Sequence, residues 1–207
     1  VEALVRPDAL ITSNTSSLPA ERLFSHLQHP ARATVTHFFA PAFKNPAVEV
    51  VEWAKSDEDV IDYLRWFFYQ TGKVPLVTDD AVCFMLDRVF DNWCNEAALL
   101  LDVATPAEID SVTTEFVHAG PFFVLNMANG NPIIVETNTL QMEEEGEHYR
   151  PADIFNTIDE RWETIPPGAG MEVDANKAKT IRDRMLGILF SQTVDILDRN
   201  IGDAADL

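Results

Sequence analysis

His37 and Glu49 are the residues whose types and setting could do chemistry. His37 lies in "THFFAPAFKNPAVEVVE", at the end of a β-branched, aromatic run, and Glu49 lies in the apolar run that follows. A histidine can act as a general base near neutral pH because its ordinary pKa is about 6.5. A carboxylate on the far ring nitrogen fixes the tautomer and stabilises the imidazolium formed when the ring takes a proton. By residue type alone, a histidine near a glutamate is more often a structural pair.

A second polar group comes earlier. "SNTSS", residues 13–17, ends the apolar run "ALITSNTSS". Hydroxyls and an amide there make either a plain turn or a strand tip that holds a substrate. The other histidines, His26, His29, His118 and His148, have no comparable setting. No two His or Cys residues fall in tight ligand spacing with suitable partners, so no metal site is expected. Cys83 and Cys94 stand too far apart along a helix for a disulfide, and are expected as buried free thiols in a reducing, cytoplasmic setting.

These residues need elements to position them. Up to about residue 78 strand and helix signals alternate. "ALITSN", "RATVTHFF", "AVEVVEW" and "VPLVTD" read as strands. "LPAERLFSHLQHP" reads as a helix with Pro19 in its first turn, and "SDEDVIDYLRWFFYQTGK" as a helix opened by a Ser-x-x-Asp cap at Ser56 and ended at Gly72. Such alternation predicts an α/β layer.

From about residue 80 the period becomes helical. "VCFMLDRVFDNWCNEAALLLDVA" places Leu86, Phe90, Trp93, Ala97 and Leu100 on one face. "TPAEIDSVTTEFVHA" reads as a helix with Thr105 as N-cap and Pro106 at its first position. "GPFFVLNMANG" reads as a short apolar helix ending at Gly130, residues 131–173 as irregular acidic surface, and "DANKAKTIRDRMLGILFSQTVDILDRN" as a long helix capped by Asp174. A faint echo links "LDVATPAEID" with "LDRNIGDAAD" at an offset of 96, which, if real, begins a second copy of the helical unit. The fold class predicted is an α/β Rossmann-type remnant over residues 1–79 followed by an all-α helical domain over residues 80–207.

The chain has 207 residues, 46% of them hydrophobic, so a core is available. Its formal charge of −19, from 34 acids against 15 bases, argues against nucleic acid or an anionic membrane as partner. No run is long enough for a membrane span.

Taken in order, "SNTSSLP", "THFFAP", "AVEVVE", the capped helix, "GKVPLVTDD" and the helix bearing "NEAALLL" resemble the 3-hydroxyacyl-CoA dehydrogenase family of fatty acid oxidation. The likeness continues through "IDSVTTEFVHAGPFFVL", similar to the family's Asp-bearing helix and Gly-Pro-Phe turn. It implies an NAD-binding Rossmann domain and a helical domain that covers an acyl-CoA and forms a homodimer. It implies that His37 takes the 3-hydroxyl proton, that Glu49 orients His37, and that Ser16 hydrogen-bonds the substrate oxygen. Asn14 is implied near the nicotinamide, and Asp87 against the substrate.

The sequence also departs from the family. Asp87 stands in "CFMLDR" where the family has an asparagine, and an ionised carboxylate cannot donate to an oxyanion as an amide can. Ala40 replaces an amide in "HFFAP". Val82-Cys83 replaces Pro-Gly, and Pro46 holds the place of the family's lysine, with Lys44 two residues earlier. No Gly-x-Gly-x-x-Gly occurs in the chain; the family's phosphate loop belongs upstream of "SNTSS". The expectation is an enzyme that does not turn over or bind NAD tightly as this chain alone. A non-catalytic acyl-CoA-binding or structural relative of the same fold is the alternative.

Overall fold

The segments 33–38 and 47–52 are rich in β-branched residues, and they form the two central strands of a sheet. In the computed structural model, which describes residues 1–158 and 161–207, the strands are β1 (Ile11–Ser13), β2 (Ala33–Phe38), β3 (Ala47–Glu52) and β4 (Val74–Asp79), in the order β1-β2-β3-β4. β1 and β2 are parallel, β2 and β3 antiparallel, β3 and β4 parallel. Alternation along β2 and β3 sends side chains to two cores. Ala33, Val35 and Val51 pack with Ala20, Phe24, Trp53 and Phe84. Val48, Val50 and Phe38 pack with Ile61, Leu64 and Phe68. The first core takes in α1 (Ala20–Phe24), the second α2 (Glu58–Gln70).

Helix starts are set by carboxylates. Asp57, one residue after the predicted cap Ser56, caps α2 by accepting from Asp59 N; the Ser56 hydroxyl is engaged instead with the Trp53 backbone. Pro19 occupies the N-cap of α1, and Asp80 accepts from Ala20 N at 2.6 Å and Glu21 N at 2.9 Å.

By internal contacts the chain divides into one unit of residues 1–88 with 194–207 and a second of residues 89–193. The remaining helices are α3 (Leu86–Leu99), α4 (Pro106–Thr113), α5 (Pro121–Ala128), α6 (Asn131–Glu145) and α7 (Ala175–Asp198). The fold class is thus a small four-stranded α/β layer followed by a mostly helical region. α3 begins at Leu86, four residues later than predicted, because Cys83 and Phe84 hold φ of 61° and 42°. The core of the second unit holds Trp93, Ala97, Leu100, Ile109, Phe122, Leu125, Ile181 and Met185. Of the predicted face, Leu86 and Phe90 are only half-buried.

α4 carries the predicted cap: Thr105 and Glu108 form a reciprocal capping box, with Pro106 in the first turn. Asp174 caps α7 through Asn176 N and Lys177 N. Residues 131–145 are not irregular as predicted; they form α6. Its buried positions Ile134, Thr137, Asn138 and Gln141 follow helical spacing, but three of the four are polar, so the apolar period is missing. The irregular acidic surface expected over residues 131–173 includes positions 159 and 160, which lie outside the described residues. Cys83 and Cys94 are buried and are not joined in a disulfide. Among the described residues no helix is long and apolar enough to cross a membrane.

Candidate active site

Strand pairing makes the central contact. In the β2–β3 ladder His37 stands directly opposite Glu49, so both side chains leave the sheet on one face. Glu49 Oε2 lies 2.6 Å from His37 Nδ1. Its other oxygen, Oε1, accepts from Met85 N and Leu86 N, each at 2.8 Å. One carboxylate therefore orients the imidazole and also caps the start of α3, where the helix dipole favours negative charge. Both side chains are withdrawn from water, at 5% and 0% exposure.

Asp87, in the first turn of α3, is the third member. Its Oδ2 lies 3.6 Å from His37 Nε2, on the ring nitrogen opposite Glu49. Burial is the largest single influence on His37 and works against the charged ring. The hydrogen bond that the ring donates to Glu49 and the charges of Asp87 and Glu49 together outweigh it, and hold the pKa above its ordinary value.

The turn that delivers Asp87 is fixed by Arg88. This fully buried guanidinium donates from Nη2 to Val82 O at 2.9 Å and from Nε to Phe84 O at 3.4 Å, and pairs with Asp195 at 3.0 Å. The Phe84 ring sits beside His37, centroids 6.1 Å apart. Positive φ at Cys83 gives a physical reason for the glycine that the resemblance expects there.

The tip of β1 reaches the same end of the sheet, since β1 and β2 run parallel and Ser13 pairs with Val35. Asn14 Oδ1 accepts from Phe38 N at 2.9 Å, one residue beyond His37. Ser17 O accepts from Cys83 N at 3.2 Å and ties the tip to the 81–85 turn. Thr15 Oγ1 accepts from Ser17 N and Leu18 N, so "SNTSS" is also a turn in its own right. Ser16 is half-buried on that turn. The structure thus gathers His37, Glu49 and Asp87 by direct contact, and puts Asn14 next to the His37 backbone. Among the described residues no hydrogen bond joins Ser16 to His37.

Arg88 and the backbone N–H groups of Met85 and Leu86 escaped the sequence reading. Only the adjacency of Arg88 to Asp87 could have signalled the first; the capping by Glu49 depends on strand register, which no local pattern reveals. Among the described residues no group of three or more His, Cys, Asp or Glu is placed to hold a metal ion.

For a nicotinamide cofactor the fit is partial. Asn14 spends its oxygen on Phe38 N, leaving its amide N–H groups as donors at the carboxyl end of the strands, where open α/β sheets bind ligands. Nothing in the sequence forms the glycine-rich turn that a pyrophosphate requires.

Comparison with known proteins points the same way. Residues 1–81 match the family model described as "3-hydroxyacyl-CoA dehydrogenase, NAD binding domain". The fatty acid oxidation complex subunit alpha of Vibrio campbellii is 29% identical over 160 residues, covering 76% of this chain and 23% of that protein. The same subunit of Aliivibrio fischeri is 31% identical over 155 residues, covering 74% and 22%. The chain therefore spans less than a quarter of the curated relatives it matches. Among solved structures, (S)-3-hydroxybutyryl-CoA dehydrogenase PaaH1 from Ralstonia eutropha superposes with a TM-score of 0.70 at 24% identity, covering 75% of this chain and 56% of that one. The 3-hydroxybutyryl-CoA dehydrogenase of Escherichia coli gives 0.67 at 24% identity, covering 73% and 33%. At these identities the superpositions establish the fold.

Proposed function

We propose, from the premise that the chain belongs to the 3-hydroxyacyl-CoA dehydrogenase family, that it carries the acid–base half of a site interconverting 3-hydroxyacyl-CoA and 3-ketoacyl-CoA. In oxidation His37 Nε2 takes the proton of the 3-hydroxyl. Glu49 holds Nδ1–H and offsets the positive charge that the ring gains. Ser16 donates to the C3 oxygen, and Asn14 contacts the nicotinamide carboxamide. NAD, when bound, accepts the hydride from C3. The helical unit covers the acyl chain and forms a homodimer, and the buried thiols suit a reducing, cytoplasmic location.

The observation that carries this reading is the register pairing of His37 with Glu49, completed by the 2.6 Å contact on Nδ1. Asp87 on Nε2 favours the second reading, an acyl-CoA-binding relative without turnover, because it occupies the direction a substrate oxygen would take.

The test is acetoacetyl-CoA-dependent oxidation of NADH by the full gene product that contains these residues. Turnover is expected, and His37→Ala is expected to lower it by a factor of about 10² to 10⁴. A rate that His37→Ala leaves unchanged overturns the assignment, and absence of turnover in a folded product that still binds acyl-CoA establishes the second reading.

A further inference from the structure

The nitrogen of His37 on which the reaction depends already faces a carboxylate. A neutral imidazole has one N–H and one lone pair. Between Glu49 at 2.6 Å on Nδ1 and Asp87 at 3.6 Å on Nε2, a neutral ring can offer a proton to only one of them and turns its lone pair on the other. A protonated ring offers an N–H to each. All three side chains are nine-tenths or more withdrawn from water, so screening is weak and the charge balance matters. With the ring charged the three groups sum to −1; with it neutral they sum to −2.

The charged groups that act on the ring are both acidic. β3 contributes Glu49, the start of α3 contributes Asp87, the 81–85 turn contributes the Phe84 ring, and the β1 tip contributes neutral Asn14. Among the described residues no basic group acts on the ring; its charged partners are Asp87 and Glu49. The nearby cation of Arg88 is engaged by Val82 O, Phe84 O and Asp195.

We infer that Asp87 is a positioning residue for the reaction proposed above, on which this inference rests: with Glu49 it holds His37 as an imidazolium at rest, so that the site stands ready to protonate a 3-ketoacyl substrate. In that direction C3 receives a hydride from the reduced nicotinamide, the carbonyl π pair moves onto oxygen, the Nε2–H bond breaks and an O–H bond forms. The products are the 3-hydroxyacyl thioester, the oxidised cofactor and a neutral ring. In the oxidative direction the ring must first lose its Nε2 proton to solvent, so that direction calls for more alkaline pH. An asparagine at position 87, the residue the resemblance expects, would leave Glu49 as the sole counter-charge.

The test is titration of ¹⁵N-histidine-labelled chain by NMR, which reads the protonation of each ring nitrogen without cofactor or turnover. In the parent chain the His37 nitrogens are expected to report imidazolium at pH 7, with a midpoint above 6.5. Asp87→Asn is expected to lower that midpoint by about one pH unit, and to move the alkaline limb of kcat/KM for ketone reduction down with it. A parent ring already neutral at pH 7 overturns the inference, and so does a midpoint indifferent to Asp87→Asn. Should Asp87→Asn not fold, the parent spectrum and Asp87→Ser decide on the same criteria. These outcomes are separate from the His37→Ala assay: loss of the dehydrogenase reading would leave the titration result standing, and the reverse holds too.

Discussion

Gly120 lies against the carboxyl group of Asp110 so closely that a Cβ there would overlap its Cγ, Oδ1 and Cβ atoms. Asp110 Oδ1 and Oδ2 accept from Phe122 N and Phe123 N, each at 2.9 Å, so a residue of α4 caps α5. The glycine is what lets the two helices approach to capping distance. Gly120→Ala is therefore expected to cost about 2 to 4 kcal/mol, combining overpacking with loss of the cap. Gly187→Ala is the matched comparison. That glycine lies in α7 with nothing near its missing Cβ, and alanine is expected to stabilise by roughly 0.5 to 1 kcal/mol. Urea unfolding of both variants checks the contrast; equal effects would remove the Asp110 explanation.

Arg88 is the largest fully buried side chain, and its guanidinium closes the left-handed turn at Cys83 and Phe84. Methionine keeps its length and apolar stem but none of the donors. Arg88→Met leaves Val82 O and Phe84 O without their guanidinium donors, and is expected to destabilise by about 3 to 5 kcal/mol. Because the turn presents Met85 N and Leu86 N to Glu49, the His37 ring signals should broaden or shift in the same variant. A stable Arg88→Met protein with an unperturbed His37 spectrum would separate the turn from the site.

Glu49→Gln tests the two-sided carboxylate. The amide oxygen of Gln can still accept from Met85 N and Leu86 N, so folding should change by only about 1 kcal/mol. The amide nitrogen then faces His37 Nδ1 as a donor. That forces the neutral ring to carry its proton on Nε2, the wrong tautomer for taking a proton from an alcohol. Oxidation of a 3-hydroxyacyl-CoA by the full gene product is expected to fall by a factor of about 10² to 10⁴. Unchanged kcat with a folded variant would show that the tautomer does not matter here.

How far the site could be read from the chain depends on the range of each determinant. His37 and Glu49 stand out by residue type within two strand runs, but their roles, and the choice of Asp87, come only from the resemblance. Thr105 with Glu108, and Asp174, were legible because caps act within four residues. The capping of α1 by Asp80 was not, since 60 residues separate Asp80 from Ala20. The same holds for Asp110 with Phe122. α6 was missed for a different reason: its buried stripe is polar, and a hydrophobic period cannot reveal a helix that packs through Thr137, Asn138 and Gln141. The departure at Asp87 was visible in the sequence, but its consequence was not. That the carboxylate faces the ring nitrogen follows from the fold, which brings the start of α3 against β2.

The buried polar face of α6 leads to the last expectation. Asn138 Nδ2 donates to Asn92 Oδ1 at 2.8 Å, and Asn92 Nδ2 to Gln141 Oε1 at 3.0 Å and Gln192 Oε1 at 3.3 Å. Next to Asn92 in sequence, Asp91 is almost wholly buried, and its Oδ2 has no hydrogen-bond partner. Burial pushes its carboxyl up from 3.8 to about 7, against the opposing effect of a hydrogen bond with Thr137. A carboxyl whose pKa is raised by folding binds its proton more tightly in the native state. Its favourable contribution is complete below the unfolded value of 3.8, and declines as pH rises towards about 7. Above that the native state carries a buried charge at full cost, of the order of a few kcal/mol. Asp91→Asn cannot ionise. Its advantage over the parent in urea unfolding should therefore grow between pH 5 and pH 7 and level off by pH 8. Identical pH dependence of parent and variant would mean that Asp91 stays charged in the fold, with a compensating partner.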